Sequence, residues 1–248
     1  MSTSDSSGTV SIVIPAYNEV ELLPGHLASI LDHAARRPWE AEIVVVDDGS
    51  TDGTAAEVES LAAIHREIRL LRQSNRGKGA AVRRGILAGT GRVRGFTDAD
   101  GSTPIEEIDR MLEALGAGAA VAIGSRARRE PGRAVRAHLH RKVLGRTFNL
   151  LVRMLLGLTR RDGRPIADTQ CGFKWFDAAA AEELFRRARE DGFAFDLEIL
   201  HLANRLELPI AELPVAWTDR GVSSVNLLVE PFRMLWTAAR LSLRRRDL

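Results

Sequence analysis

Three times in the first hundred residues a short apolar run stops at proline, glycine or acids: VSIVIPAY (10–17), AEIVVVDDGS (41–50) and RVRGFTDAD (92–100). The first two, apolar and β-branched, read as strands buried on both faces, the habit of parallel sheets, with polar residues gathered at their carboxyl ends, and the third reads as a further strand. The stretches between them read as helices. EVELLPGHLASILDHAARR sets Leu22, Leu23, Leu27, Ile30 and Leu31 near helical spacing, with Pro24 in the first turns. TDGTAAEVESLAAIHRE opens on capping residues and gathers Ala55, Val58, Leu61 and Ala62 on one side. IRLLRQ (68–73) adds a strand, and NRGKGAAVRRGILAGT (75–90) adds a glycine-rich turn leading into a helix. Alternation this regular predicts a single α/β domain built on a mostly parallel, doubly wound sheet with helices on both faces. In such sheets ligands bind beyond the carboxyl ends of the strands, and PAYNE, DDGS and DAD all fall at that rim.

The later half is less regular. Leu144, Phe148, Leu151, Leu155 and Leu158 alternate steps of four and three, which predicts one amphipathic helix over 133–158. Further helices are expected over 177–190, 195–207 and 228–246, and a late strand over 209–217. No internal repeat or linker marks a second domain. Residues 1–9 are polar, lack the basic-then-apolar order of a secretory signal, and read as a loose tail. No apolar stretch approaches the roughly 20 residues needed to cross a bilayer.

Composition excludes some chemistry. The single Cys171 rules out an intramolecular disulfide framework and a multi-cysteine zinc site, suits a reducing compartment, and reads as a packed small residue. Net charge is only +2, yet residues 126–164 carry twelve Lys or Arg against Glu130 and Asp162. Such a block suits phosphate, anionic lipid or nucleic acid, or is the solvated face of a helix. Few aromatics lie within it, which weakens a single-stranded nucleic-acid platform.

The rim motifs narrow the chemistry further. Asp98 and Asp100 repel each other unless protons or a cation intervene, and Mg²⁺ with a diphosphate would complete such a site; a solvated turn is the plainer alternative. In DDGS, Asp48 or Ser50 could cap a helix, or an acid could accept from a base or ribose while Gly49 allows close approach. Lys78, between two glycines at a helix start, suits a phosphorylated ligand, although the P-loop spacing is missing.

Taken in order, SIVIPAYNE, VVVDDGSTDGT, NRGKGAA and TDADG closely resemble the donor half of family 2 inverting glycosyltransferases of the GT-A fold. GSR, DTQCGFKWF and FAFDLEIL extend the resemblance, over about residues 10–225, to enzymes that load a sugar onto a polyprenyl or dolichyl monophosphate. Among these it is similar above all to the dolichyl-phosphate glucosyltransferases. The resemblance implies that Pro15, Ala16, Tyr17, Glu19, Asp48, Lys78 and Ala99 line the nucleotide-sugar pocket. It implies that Asp98 and Asp100 hold the donor diphosphate through Mg²⁺ or Mn²⁺. Arg126, Arg141, Lys142 and Lys174 become candidates for the acceptor phosphate, with Gln170 and Asp168 shaping the reacting sugar's site. Asp168 is the first choice if a carboxylate assists attack, and Asp196 and Glu198 are its rivals, with a helix cap as the plainer role of Asp196.

DADGST resembles the glucosyl-transferring members, so UDP-glucose is the expected donor and GDP-mannose the alternative. On this reading the donor half spans 10–125, the acceptor half 126–225, and 226–248 forms a basic amphipathic C-terminal helix. That helix, with Phe232, Leu235, Trp236, Leu243 and Arg244 to Arg246, suits a peripheral place on the cytoplasmic face of a membrane, with a membrane-anchoring partner protein as a further option. Rival readings are a soluble transferase acting on a sugar hydroxyl or phosphorylated glycerate, a binding module without turnover, and a nucleic-acid protein, which the ordered donor motifs disfavour.

Overall fold

The structure, a computed structural model, describes residues 8–128, 130–136, 151–152, 154–220 and 230–243. Its strands are β1 (Thr9–Ala16), β2 (Glu40–Asp47), β3 (Ile68–Arg72), β4 (Val93–Thr97), β5 (Val121–Ser125), β6 (Val135–Arg136), β7 (Phe173–Asp177), β8 (Ile210–Pro214) and β9 (Trp217–Thr218). Its helices are α1 (Leu23–Ala34), α2 (Thr54–Ala62), α3 (Lys78–Ala88), α4 (Ile108–Gly116), α5 (Ala178–Arg187), α6 (Phe195–Arg205) and α7 (Glu230–Leu243). Residues 1–7 of the expected tail lie outside the described residues, as do Arg141, Lys142, Leu144, Phe148 and Arg244 to Arg246.

Seven strands form one sheet in the order β3, β2, β1, β4, β7, β5, β8, parallel throughout except for β7. The unbroken apolar runs of β1 and β2 reflect this arrangement, because both faces of the sheet are covered. Val13, Val44, Val46, Phe96 and Ile123 pack against α3, α5, α6 and α7, while Ile12, Ile14, Ile43, Val45 and Trp175 pack against α1, α2 and α4. Pro24 is accommodated in the first turn of α1, where a missing N–H costs nothing.

The register brings the polar strand ends together. Ala16 pairs with Asp47, Asp47 with Arg72, and Thr97 with Phe173, so β7 begins where β4 ends. Phe96, Lys174 and Ile123 lie in one row across β4, β7 and β5, which carries Asp98 and Arg126 to the same rim.

Two expectations are corrected. Residues 133–136 are not helical: Val135 and Arg136 pair with Trp217 and Thr218 as a separate two-stranded sheet, and described helix resumes only at residues 151, 152 and 154–156. The late strand over 209–217 is also two strands in two sheets, β8 ending at Pro214 and β9 starting at Trp217. Proline has no N–H to donate to a ladder, which suits it to the last position of β8.

Candidate active site

The donor side is built on the ends of β1, β2 and β4 and the start of α3. Asn18, in the left-handed region at φ 56°, turns the chain after β1, and its Oδ1 accepts from Thr51 N–H at 2.8 Å. Pro15 and Ala16 close β1, and Tyr17 comes next with 41% of its surface exposed at the rim. Glu19 N–H donates to Thr54 Oγ1 at 2.9 Å, fixing PAYNE against α2. Asp48 is buried and serves the chain itself: Oδ1 accepts from Gln73 Nε2 and Arg76 N–H, both at 2.8 Å, and Oδ2 from Gly77 N–H at 2.7 Å. These bonds hold the loop that delivers Lys78. Gly77, at φ +104° and with any Cβ only 2.6 Å from Asp191 O, permits that turn.

Lys78 Nζ forms an ion pair with Asp98 Oδ1. Asp100 is held from within its own loop, Oδ1 by Ser102 N–H and Oδ2 by Ser102 Oγ, each at 2.8 Å, and Ala99 between the two acids is buried. The field here is strongly negative. Burial, then Asp100, Asp98 and Asp52, push the Glu19 carboxyl up to about 7, with Lys78 acting the other way. Burial and Asp98 likewise raise Asp100, and Lys78 stays above the ordinary lysine range because Asp98, Asp196 and Asp100 outweigh its desolvation. Hard oxygen donors carrying more negative charge than Lys78 offsets suit a divalent cation that takes its remaining ligands from a diphosphate. Asp98 and Asp100 therefore fit Mg²⁺ or Mn²⁺, although among the described residues no ready-made group of three ligands is present.

On the other side of Asp98 stands the end of β5. Arg126 grips Asp168 through Nε (2.8 Å), Nη2 (3.0 Å) and its own backbone N–H (2.9 Å). Asp168 is buried; despite the burial, the guanidinium keeps its carboxyl below the usual range, and Arg126 is raised in return. Glu212 of β8 anchors the same loop, its Oε1 accepting the N–H groups of Ala167 and Asp168, both at 2.9 Å. Gln170 N–H donates to Asp168 Oδ1 at 3.1 Å, while its side-chain amide turns back to Thr169 O.

Several expected roles change. Lys174 is fully buried and donates to Cys171 O and Asp196 Oδ1, both at 2.6 Å, so it does not reach an acceptor. Asp196 is consumed in that pair rather than in a cap, and Glu198 Oε2 accepts the N–H groups of Arg189 and Glu190. Asp168, already paired and held ionised, is a poor proton acceptor and acts as the brace of Arg126. Among the described residues of the basic block, Arg128 bonds Glu212 O, Arg133 bonds Glu107, Arg160 pairs with Asp162, and Arg161 bonds Ala117 O. Cys171 is buried, and burial first of all pushes its thiol up to about 12, which leaves no thiolate for chemistry.

Sequence reasoning misses His26, Gly172, Trp217 and Glu212. His26 is buried behind the acids, its Nε2 3.5 Å from Thr97 Oγ1, and burial lowers it to about 4. Gly172 lies so close to Asp98 that a Cβ there would sit 2.0 Å from Oδ2. Trp217 covers the Arg126 guanidinium, with Cζ 5.5 Å from the ring centroid. Gly172 stands inside the DTQCGFKWF motif, where a signal was within reach, whereas the other three are joined to the site only by tertiary contacts.

The family model for glycosyl transferase family 2 matches residues 11–185. Dolichyl-phosphate beta-glucosyltransferase of Drosophila melanogaster is 38% identical over 224 residues, covering 85% of this chain and 67% of that protein. The Saccharomyces cerevisiae and Homo sapiens proteins of the same name are 35% and 34% identical, covering 91% and 85% of this chain and 71% and 67% of theirs. Among solved structures, mannosyl-3-phosphoglycerate synthase from Rubrobacter xylanophilus superposes with a TM-score of 0.69 at 22% identity, over 96% of this chain and 74% of that one. Glucosyl-3-phosphoglycerate synthase from Mycobacterium tuberculosis, solved with Mn²⁺ and UDP-glucose, gives 0.68 at 20% identity, over 94% and 79%. The solved neighbours establish the GT-A fold, and the sequence relatives place the chain more narrowly: it belongs to glycosyl transferase family 2, in the group of dolichyl-phosphate beta-glucosyltransferases.

Proposed function

We propose that the chain transfers glucose from UDP-glucose to dolichyl or a related polyprenyl monophosphate, with inversion at the anomeric carbon. The observation that carries this reading is the state of the carboxylates around Arg126. Asp168 is bound to Arg126, Asp196 to Lys174, and Glu198 to two backbone N–H groups. An acceptor hydroxyl would need one of them as a base. A phosphate monoester needs none, because its second ionisation lies at about 6 and its oxygen is already anionic at neutral pH. Its demand is instead for a cation that orients it, which Arg126 meets.

In this reading Pro15, Ala16, Tyr17, Glu19 and Ala99 surround the nucleotide sugar, Asp48 holds the loop that carries Lys78 rather than touching the donor, and Lys78 faces the diphosphate. Asp98 and Asp100 would hold Mg²⁺ or Mn²⁺, which when bound offsets the negative charge growing on the leaving diphosphate. The solved relatives named with Mn²⁺ or Mg²⁺ support that choice of ion. Asp168 fixes Arg126, and Gln170 lies beside the reacting centre.

The acceptor is a membrane lipid, and among the described residues no helix is long and apolar enough to cross a bilayer. Met154, Trp236 and Leu243 nevertheless expose 72%, 73% and 81% of their surfaces. We place these side chains against the cytoplasmic face of a membrane, with an anchoring partner protein as an added means of attachment.

The test is to incubate the protein with labelled UDP-glucose or GDP-mannose, dolichyl phosphate and Mg²⁺, and to count label extracted into organic solvent. Lipid-borne label from UDP-glucose that disappears with chelator is expected. Label from GDP-mannose alone would overturn the sugar, and a water-soluble product from phosphoglycerate in place of a lipid would overturn the acceptor.

A further inference from the structure

Arg126 is constrained from two directions by different chemistry. Asp168 takes one edge, Nε and Nη2, while Trp217 lies across the face at 5.5 Å, within the roughly 6 Å at which an indole attracts a cation. The remaining edge is formed by Nη1 and the second N–H of Nη2; for Nη1 the described residues offer no hydrogen-bond acceptor, and 30% of the side chain is open to solvent. A guanidinium bound at one edge and covered on one face can present only that free edge to a ligand.

Trp217 is itself firmly seated. Its backbone N–H donates to Ala134 O at 3.1 Å, Ala216 N–H donates to Glu107 Oε1 at 3.0 Å, and Thr218 N–H donates to Ser102 O at 2.9 Å. Ser102 is the residue that holds both oxygens of Asp100. The two residues of β9 therefore stand between the donor-side acids and the acceptor-side arginine. The tie to the acids is made by backbone, and the tie to Arg126 by the indole ring.

We propose that Trp217 is a positioning residue that holds Arg126 with its Nη1 edge turned toward the phosphate of the lipid acceptor. The proposal rests on the acceptor class proposed above and deepens it. A free arginine side chain gives up rotamer freedom when it binds an anion, whereas one already fixed by Asp168 and Trp217 has little left to lose. Trp217 therefore acts on acceptor binding, and donor binding is untouched because the Thr218 bond to Ser102 survives any change of side chain at 217.

The test compares Trp217→Leu and Trp217→Phe in the full chain by steady-state kinetics with UDP-glucose, Mg²⁺ and dolichyl phosphate. Trp217→Leu is expected to raise the acceptor KM roughly tenfold, the value of a partly desolvated cation–π contact, with the UDP-glucose KM within about twofold of wild type. Trp217→Phe restores a ring face and should recover most of the loss. In an Arg126→Ala background Trp217→Leu should add nothing further. In parallel, binding of inorganic phosphate at saturating UDP and Mg²⁺ is measured by calorimetry and should weaken by a similar factor in Trp217→Leu. An unchanged acceptor KM and phosphate affinity, equal losses for donor and acceptor, or a full additional loss without Arg126 would each overturn the proposal. If phosphate binding depends on Trp217 but wild type glucosylates no dolichyl phosphate, the acceptor reading fails while the task of Trp217 stands.

Discussion

His26 shows how one residue can tie the site's architecture to pH. Its folded-state value of about 4 lies below the ordinary 6.5, so between these limits the unfolded chain binds a proton that the folded chain excludes. Stability from this residue is complete above 6.5 and is lost as pH falls toward 4. Between pH 7 and pH 5 wild type is expected to lose about 2 kcal/mol more unfolding free energy than His26→Gln. Denaturant titrations at both pH values decide this, and parallel losses in the two proteins would contradict it. Other residues explain why sequence reading succeeds unevenly. Asp98, Asp100 and Lys78 are legible because their neighbours in sequence are also their neighbours in the site. Lys174 looks like a surface cation, yet it lies in the same row as Phe96 and Ile123, deep in the sheet, and only the register of β7 reveals that.

At the scale of elements, the alternation of runs in the first hundred residues is legible because each strand and helix carries its own apolar period and its own turn residues in the local sequence. The failures lie where partners are remote. Residues 135–136 carry no strand signal of their own and are extended because Trp217 and Thr218, far along the chain, offer a ladder. The reversed strand β7 has a sharper functional consequence, since its entry delivers Gly172 against the Asp98 carboxylate. Gly172→Ala would force Asp98 aside, and a displacement of about 1 Å at a reacting centre costs on the order of a hundredfold in rate. We expect kcat to fall by that order while the melting temperature shifts little. A variant with wild-type kcat would show that the close approach has no bearing on the chemistry.

For the molecule as a whole, a net charge of +2 conceals a basic block in which, among the described residues, Arg126, Arg128, Arg133, Arg160 and Arg161 are engaged in bracing the chain. The proposed attachment to lipid is expected to draw on apolar contacts. Replacing Trp236 and Leu243 together by Ala should weaken co-sedimentation with anionic vesicles by roughly tenfold or more, since each buried large side chain contributes about 1.5–3 kcal/mol. Activity on a short, water-soluble prenyl phosphate should persist, and unchanged vesicle binding would remove these residues from the surface in question. The central claim is that the acceptor brings its own anionic nucleophile to a site where Asp168, Asp196 and Glu198 are each committed to partners within the chain. The most direct measurement is the rate of labelled glucose transfer from UDP-glucose to dolichyl phosphate and, side by side, to dolichol, the same lipid ending in a free hydroxyl. Transfer to the phosphate with none to the alcohol is the expected result; comparable transfer to dolichol would mean that the chain supplies a base after all and would contradict the claim.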